Sequence, residues 1–208
     1  MMICSNSKGL RRVPRQARSR ARVEAAIHAL LDLVSTDGID PSHVTTSDVA
    51  ERAGIPIGSL YEYFEDLGCI VDAAVSQSLR SHEELVSTSF PRQLTTTHEL
   101  VDVFIESFTQ LYEIDPRMLA LRTSTLFQPH HRDWMRDYLE AYVKSVAVPG
   151  TELATFAERR DVMKRLGLFV AVSETVMQHA YADGAVDDED VAEECRDILR
   201  STMEHVTR

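Results

Sequence analysis

Apolar side chains recur along most of this chain at helical spacing. From Ser19 to Thr36, Val23, Ile27, Leu30, Leu31 and Val34 fall at i, i+4, i+7, i+8 and i+11. That spacing predicts an amphipathic helix, closed by Asp37-Gly38. Between Thr45 and Phe64 (TTSDVAERAGIPIGSLYEYF) the pattern shortens. Thr45 suits an N-cap, and Asp48 three residues on completes a short-armed capping box. Val49, Ala50 and Ala53 give a narrow apolar stripe, Gly54 provides a helix stop, and Pro56 suits the first turn of a second helix. Leu60 and Phe64, at i and i+4, face a core, which turns Ile57, Ser59, Tyr61 and Tyr63 partly outward. The prediction is two short helices joined by a tight turn, with the longer preceding helix packed across them.

Asp66 can N-cap a helix running to about Ser87, with Ile70, Val71, Ala74 and Leu79 inward. Ser87–Thr97, broken by Pro91, reads as a loop. Thr96 with Glu99 repeats the capping signal ahead of Leu100, Val101, Phe104, Ile105, Phe108, Leu111 and Tyr112. Asp115-Pro116 restarts a helix to about Phe127, stopped before Pro129. His131–Val148 carries Trp134, Tyr138, Tyr142 and Val146 on one side until Pro149-Gly150 breaks it. A long helix from about Leu153 to Ala182, the acidic turn ADGAVDDED and a last helix from Asp187 to about His205 complete the chain. That last helix presents Val191, Cys195, Ile198, Leu199 and Met203. No segment alternates as a strand, so the expected class is all-α, with about nine helices. The expected organisation is a flexible arm over 1–18, which lacks apolar periodicity, a three-helix head over 19–66 and a helical body over 67–208.

Composition changes this picture little, and charge distribution changes it more. No run approaches the ~20 apolar residues of a membrane span. The start, MMICSNSKGLRRVPR, has its charge after the short apolar piece, the reverse of a secretory signal. Cys4, Cys69 and Cys195 are odd in number and lack metal spacing, which reads as reduced thiols in a cytoplasmic protein. The net charge of −11 over 208 residues alone argues against nucleic acid. Yet Lys8, Arg11, Arg12, Arg15, Arg18, Arg20 and Arg22 are seven bases with no acid among them. Removing those seven from the 22 basic residues leaves 15 against 33 acids in the other 186 residues, or −18. A basic arm on an acidic body points to a polyanion at one end.

The pattern T-T-x-D-V-A-x-x-A-G-I-x-x-G-S-L-Y-x-Y-F resembles the helix-turn-helix DNA-binding domain of the TetR family of transcriptional regulators. The match runs from about Arg20 to Val75, with the motif at 45–64. The resemblance implies a bacterial homodimeric repressor that binds double-stranded DNA at a palindromic operator and is released by a small-molecule effector. It implies that Thr46 touches a phosphate and that Ile57, Gly58, Ser59, Tyr61 and Tyr63 line the major groove. Hydroxyls suit phosphate oxygens, Gly58 permits close approach, and Ile57 suits a thymine methyl. Two positions depart from the family pattern. Leu67 stands where a lysine meets a phosphate, and Glu62 lies between the tyrosines. Val44–Ile70 holds five acids against one base, Arg52. Phosphate neutralisation is therefore assigned largely to the arm and the first helix, with Arg11, Arg12 and Arg15 reaching the adjacent minor groove.

In the body, Phe104, Phe108, Tyr112, Trp134, Tyr138, Phe169 and Met177 are candidates to line a pocket for a hydrophobic or aromatic ligand. An apolar stripe at helical spacing is more often ordinary core than pocket lining. Val162–Tyr181 has more apolar surface than one face needs, and Gly167 and Ala171 permit close helix approach. Leu166, Gly167, Val170, Val191, Ile198 and Leu199 are the dimerisation candidates, in a four-helix interface of the kind the family forms. Enzymatic and metal chemistry find no constellation. Adjacent His130 and His131 point to different helix faces, Glu174 and His179 are five apart, and Asp187–Asp190 lacks a calcium loop's glycine and terminal glutamate. No nucleophile elbow or phosphate loop is present, so neither cofactor nor metal is expected. The competing reading is a helical ligand- or partner-binding protein whose acidic head has lost operator affinity.

Overall fold

In the computed structural model, residues 9–36, 39–182 and 189–207 are described, without the side chains of 174, 177–182, 189, 191, 192 and 207. The acidic turn after Ala182 and Cys4 lie outside the described residues, as do the side chains of Met177 and Val191. The helices are α1 (Ala17–Val34), α2 (Thr46–Arg52), α3 (Ile57–Tyr61), α4 (Leu67–Ser89), α5 (Thr97–Ile114), α6 (Arg117–Thr123), α7 (Pro129–Val146), α8 (Glu152–Ala157), α9 (Val162–Ala182) and α10 (Glu189–Thr207). A 3-10 turn, Pro41–His43, precedes α2. The chain is all-α: no strand occurs among the described residues, only a single bridge between Leu94 and Ala147. Nor is any described helix long and apolar enough to cross a membrane.

Several boundaries differ from the sequence expectation, each for a local reason. Helix α1 starts at Ala17, where Gln16 and Ser19 exchange capping bonds. Helix α6 ends at Thr123 rather than near Phe127. The Ser124 hydroxyl donates to the Leu121 carbonyl at 2.7 Å and accepts the Leu126 N–H at 3.3 Å, replacing helical bonds with a turn. The long helix predicted over 153–182 is two helices, α8 and α9, which raises the count to ten among the described residues. Asp161, at the start of α9, draws Arg159 Nε to 3.1 Å and Arg165 Nε to 2.5 Å. An acid suits that helix end, and the two arginines hold its carboxyl below the usual range.

Two compact units divide the chain: Met1–Ser81 with Ile114–Gln128, and His82–Glu113 with Pro129–Arg208. This departs from a contiguous boundary at 66/67. In the first unit α1 packs on α2, α3 and α6. Val23, Ala26, Ile27, Leu30, Leu31 and Val34 bury the inner face of α1, as their spacing predicts. Arg117 of α6 clasps Asp115 through Nε and Nη2 (both 2.8 Å), and its Nη1 donates to Asp32 of α1 at 2.7 Å. Arg52, at the end of α2, pairs with the other Asp32 oxygen at 3.5 Å. In the second unit α9 packs on α7 and α10, and α7 on α8. Leu94 pins the loop before α5 by accepting from Val148 N–H and donating to the Val146 carbonyl.

The Arg117 cluster makes stability pH-dependent. Burial alone raises the Asp115 carboxyl, but the Arg117 hydrogen bonds and charge outweigh it and hold the group below the usual range. A carboxylate lowered on folding contributes stability that is complete above its unfolded value, about 4. That stability is lost as pH falls through the lower folded value. Arg117→Met should therefore flatten the fall in urea midpoint as pH drops below the ordinary carboxylate range. Parallel curves for variant and wild type would remove this pair from the acid response.

Candidate functional site

The candidate nucleic-acid surface is built by the two short helices. Thr45 caps α2 reciprocally with Asp48: the Thr45 N–H and hydroxyl reach Asp48 Oδ2 at 2.8 and 2.7 Å, and the Asp48 N–H returns to Thr45 Oγ1 at 3.3 Å. Those Thr45 bonds hold the Asp48 carboxyl below its ordinary range. At the other end Gly54 adopts φ +65°, with Gly54 N–H on the Glu51 carbonyl and Ile55 N–H on that of Ala50. This is the paired bonding of a Schellman stop. Both ends of a seven-residue helix are thus closed by its own sequence. Pro56 is the N-cap of α3 rather than its first residue. Leu60 and Phe64 are both 1% exposed and seat α3.

What remains outward is a compact row. Ile57 is 40% and Tyr61 44% exposed, Gly58 is exposed, and Ser59 is half-buried. The hydroxyls of Thr46 and Tyr61 lie 3.1 Å apart in hydrogen-bond contact, joining the start of α2 to the end of α3. Tyr63 corrects the sequence expectation: at 7% exposure it belongs to the core. Helix α3 stops at Tyr61, and the N–H groups of Tyr63 and Phe64 both bond the Leu60 carbonyl at 3.0 Å. Tyr63 lies three residues after the buried Leu60, on the side of the chain that Leu60 and Phe64 bury, and is covered with them.

Arg11, Arg12 and Arg15 are exposed. The Arg11 N–H donates to the Tyr63 carbonyl at 2.8 Å, placing the arm's backbone directly after the outward row.

No sequence-family model matches the chain, and no curated protein sequence does. Solved structures do. A TetR-family transcriptional regulator from Streptomyces coelicolor superposes with TM-score 0.62 at 22% identity, covering 89% of this chain and 99% of that one. The fatty acid degradation regulator FadR from Bacillus halodurans superposes with TM-score 0.54 at 12% identity, covering 93% and 96%. This chain has the TetR-regulator fold.

In the second unit of this TetR-type fold, Phe104, Phe108 and Tyr138 line a narrow cavity of about 10 Å³ with His82, Ser107, Met135, Tyr142 and Val170. That is room for about one water. Of the other sequence candidates, Phe169 is fully buried with its ring edge-on to Phe104 at 5.2 Å, and Tyr112 is buried 6.1 Å from the Phe108 ring. Trp134 instead meets the rings of His130 and His131. None of these three borders the cavity.

Sequence reasoning missed the polar members. His82 Nδ1 contacts Tyr138 Oη and its Nε2 contacts Ser107 Oγ, both at 2.8 Å, while the imidazole stacks on Phe108 at 4.1 Å. Since the Ser107 hydroxyl donates to the Phe104 carbonyl at 3.1 Å, its oxygen accepts from His82 Nε2–H. The signal was present, because His82 falls on the stripe Val75, Leu79, Val86 and Ser107 on the stripe of α5. A polar residue on an apolar stripe requires a partner.

Tyr142 differs from this satisfied trio. Its hydroxyl is buried without a hydrogen bond, and burial pushes it up to about 12. An unmet buried hydroxyl costs about 1–3 kcal/mol. Tyr142→Phe should accordingly stabilise the protein by about 1 kcal/mol in urea titration. A loss of that size would show that the hydroxyl is bonded in solution.

The dimerisation candidates need correction. Leu166 and Leu199 are 0% and Val170 2% exposed within one protomer, so they are its core. Helices α7, α9 and α10 pack together and cover these positions. At Gly167 an added Cβ would lie 3.3 Å from Arg136 Cδ, so this glycine serves the approach of α7. Ile198 is 49% exposed and remains a candidate. Leu168, 53% exposed on α9, joins it, with Ala171 and Thr175 exposed at i+3 and i+7.

Proposed function

We propose that this chain is a DNA-binding transcriptional regulator, a homodimeric repressor that leaves a palindromic operator when a small hydrophobic or aromatic molecule binds. The observation carrying the DNA reading is the outward row Ile57, Gly58, Ser59 and Tyr61, locked to Thr46 by a hydroxyl pair. Two hydroxyls held together at the mouth of a helix-turn-helix suit a phosphate, while Ile57 is free to meet a base edge. The effector reading draws on the apolar cavity and on the Tyr142 hydroxyl, which a ligand oxygen would satisfy. A cavity of this size admits such a molecule only when its walls move. Binding then shifts the protein between two states by the ligand's differential affinity for them.

Selection of bound duplexes from a random library tests this. A palindromic consensus is the expected result, followed by screening for apolar compounds that release it. No enrichment over input would favour the second reading, a helical partner-binding protein. The observation favouring that reading is the net acidic charge of Val44–Ile70, together with Leu67 at the family's lysine position.

A further inference from the structure

Gly9 has φ +78°, in the left-handed region that glycine tolerates and other residues rarely adopt. It also lies against the backbone of α4. A Cβ built there would sit 2.2 Å from the Cys69 carbonyl oxygen and 2.8 Å from the Ala73 nitrogen. Both are main-chain atoms of a helix and cannot step aside. From this contact the chain runs back along the head, where Arg11 N–H bonds the Tyr63 carbonyl and Arg20 Nη1 donates to the Arg15 carbonyl at 3.1 Å. Leu10, Val13 and Pro14 border a groove with Val23, Ile27 and Ala73. So the residues from Gly9 onward lie against the head in this structure.

We propose that Gly9 is the positioning residue of the basic arm. Its fit on α4 carries Arg11 and Arg12 to the end of the recognition helix before any DNA arrives. This deepens, and rests on, the DNA-binding reading. The motif over 44–70 carries five acids against one base, so it attracts phosphate only when a positive charge is held beside it. An arm already docked delivers that charge without the entropy of ordering a loose chain on the duplex.

Gly9→Ala tests the clasp, because it keeps every charge and removes only the fit. Without DNA, trypsin should cut after Arg11 and Arg12 at least about tenfold faster in the variant, since cleavage requires a locally free backbone. On a duplex recovered by selection, affinity should fall about tenfold at fixed salt while the slope of log K against log salt stays as in wild type. Arg11→Gln/Arg12→Gln should do the reverse, lowering the slope with little change in tryptic access elsewhere in the arm. Equal trypsin rates for Gly9→Ala and wild type would overturn the proposal. So would a variant slope that falls along with affinity. If selection recovers no duplex, the DNA-binding reading fails while the trypsin comparison still decides whether Gly9 holds the arm.

Discussion

Leu168→Glu/Ile198→Glu is expected to leave a monomer and to lower affinity for a palindromic operator by about 10²- to 10⁴-fold. Both side chains are about half exposed, one on each of two helices that pack together. Apolar groups left outward in this way suit a surface covered by a second copy, where glutamate would have to be desolvated without a partner. Being exposed, they can be replaced without opening the core, so helical content and melting should change little. A single half-site is then bound without the gain of a linked second one, which explains the size of the expected loss. Leu199→Ala is the contrasting change. It empties a fully buried position and should destabilise the protomer itself by about 2–5 kcal/mol. Sedimentation at micromolar concentration, paired with gel shift, separates the two. A double-glutamate variant that sediments as a dimer would place the interface elsewhere.

The second large effect is expected from Arg11→Gln/Arg12→Gln/Arg15→Gln. Each neutralised phosphate contributes about −0.9 to the slope of log K against log salt, so losing three contacts should flatten it by up to about 2.7. Affinity at moderate salt should drop at least about tenfold. The reason lies in the head's own charge. With Asp48, Glu51, Glu62, Glu65 and Asp66 against Arg52, the motif by itself would repel a polyanion. The three arginines are exposed and available. An unchanged slope would exclude the arm from phosphate contact.

Local chemistry was the part most legible in the sequence. The Thr45–Asp48 cap, the Gly54 stop, the Asp66 cap of α4 and the Thr96–Glu99 box each rest on groups within a few residues of one another, and each appears as read. Tyr63 was misread because only the i,i+4 pair Leu60 and Phe64 was turned inward, although Tyr63 lies i+3 from Leu60 and shares its side. The α9 residues were misassigned for another reason. A helix apolar on more than one face must be covered on more than one side, but hydrophobicity does not say whether the cover comes from its own chain. The His82 trio was hidden because its partners lie 25 and 56 residues away, a pairing that no local spacing records.

The reach of Arg117 back to Asp32 has a consequence for how this head is made and moved. Asp32 and Arg52 leave the ribosome early, but the guanidinium that completes their cluster is added 85 residues after Asp32. During synthesis the head must wait, incomplete, while all of α4 and α5 are translated. A graft joining it to a foreign body at residue 66, the junction its motif suggests, would strand Asp32 without its strongest partner and leave α1 uncovered where α6 belongs. The transplantable part is a discontinuous piece, and a working chimera has to carry Ile114–Gln128 along with it.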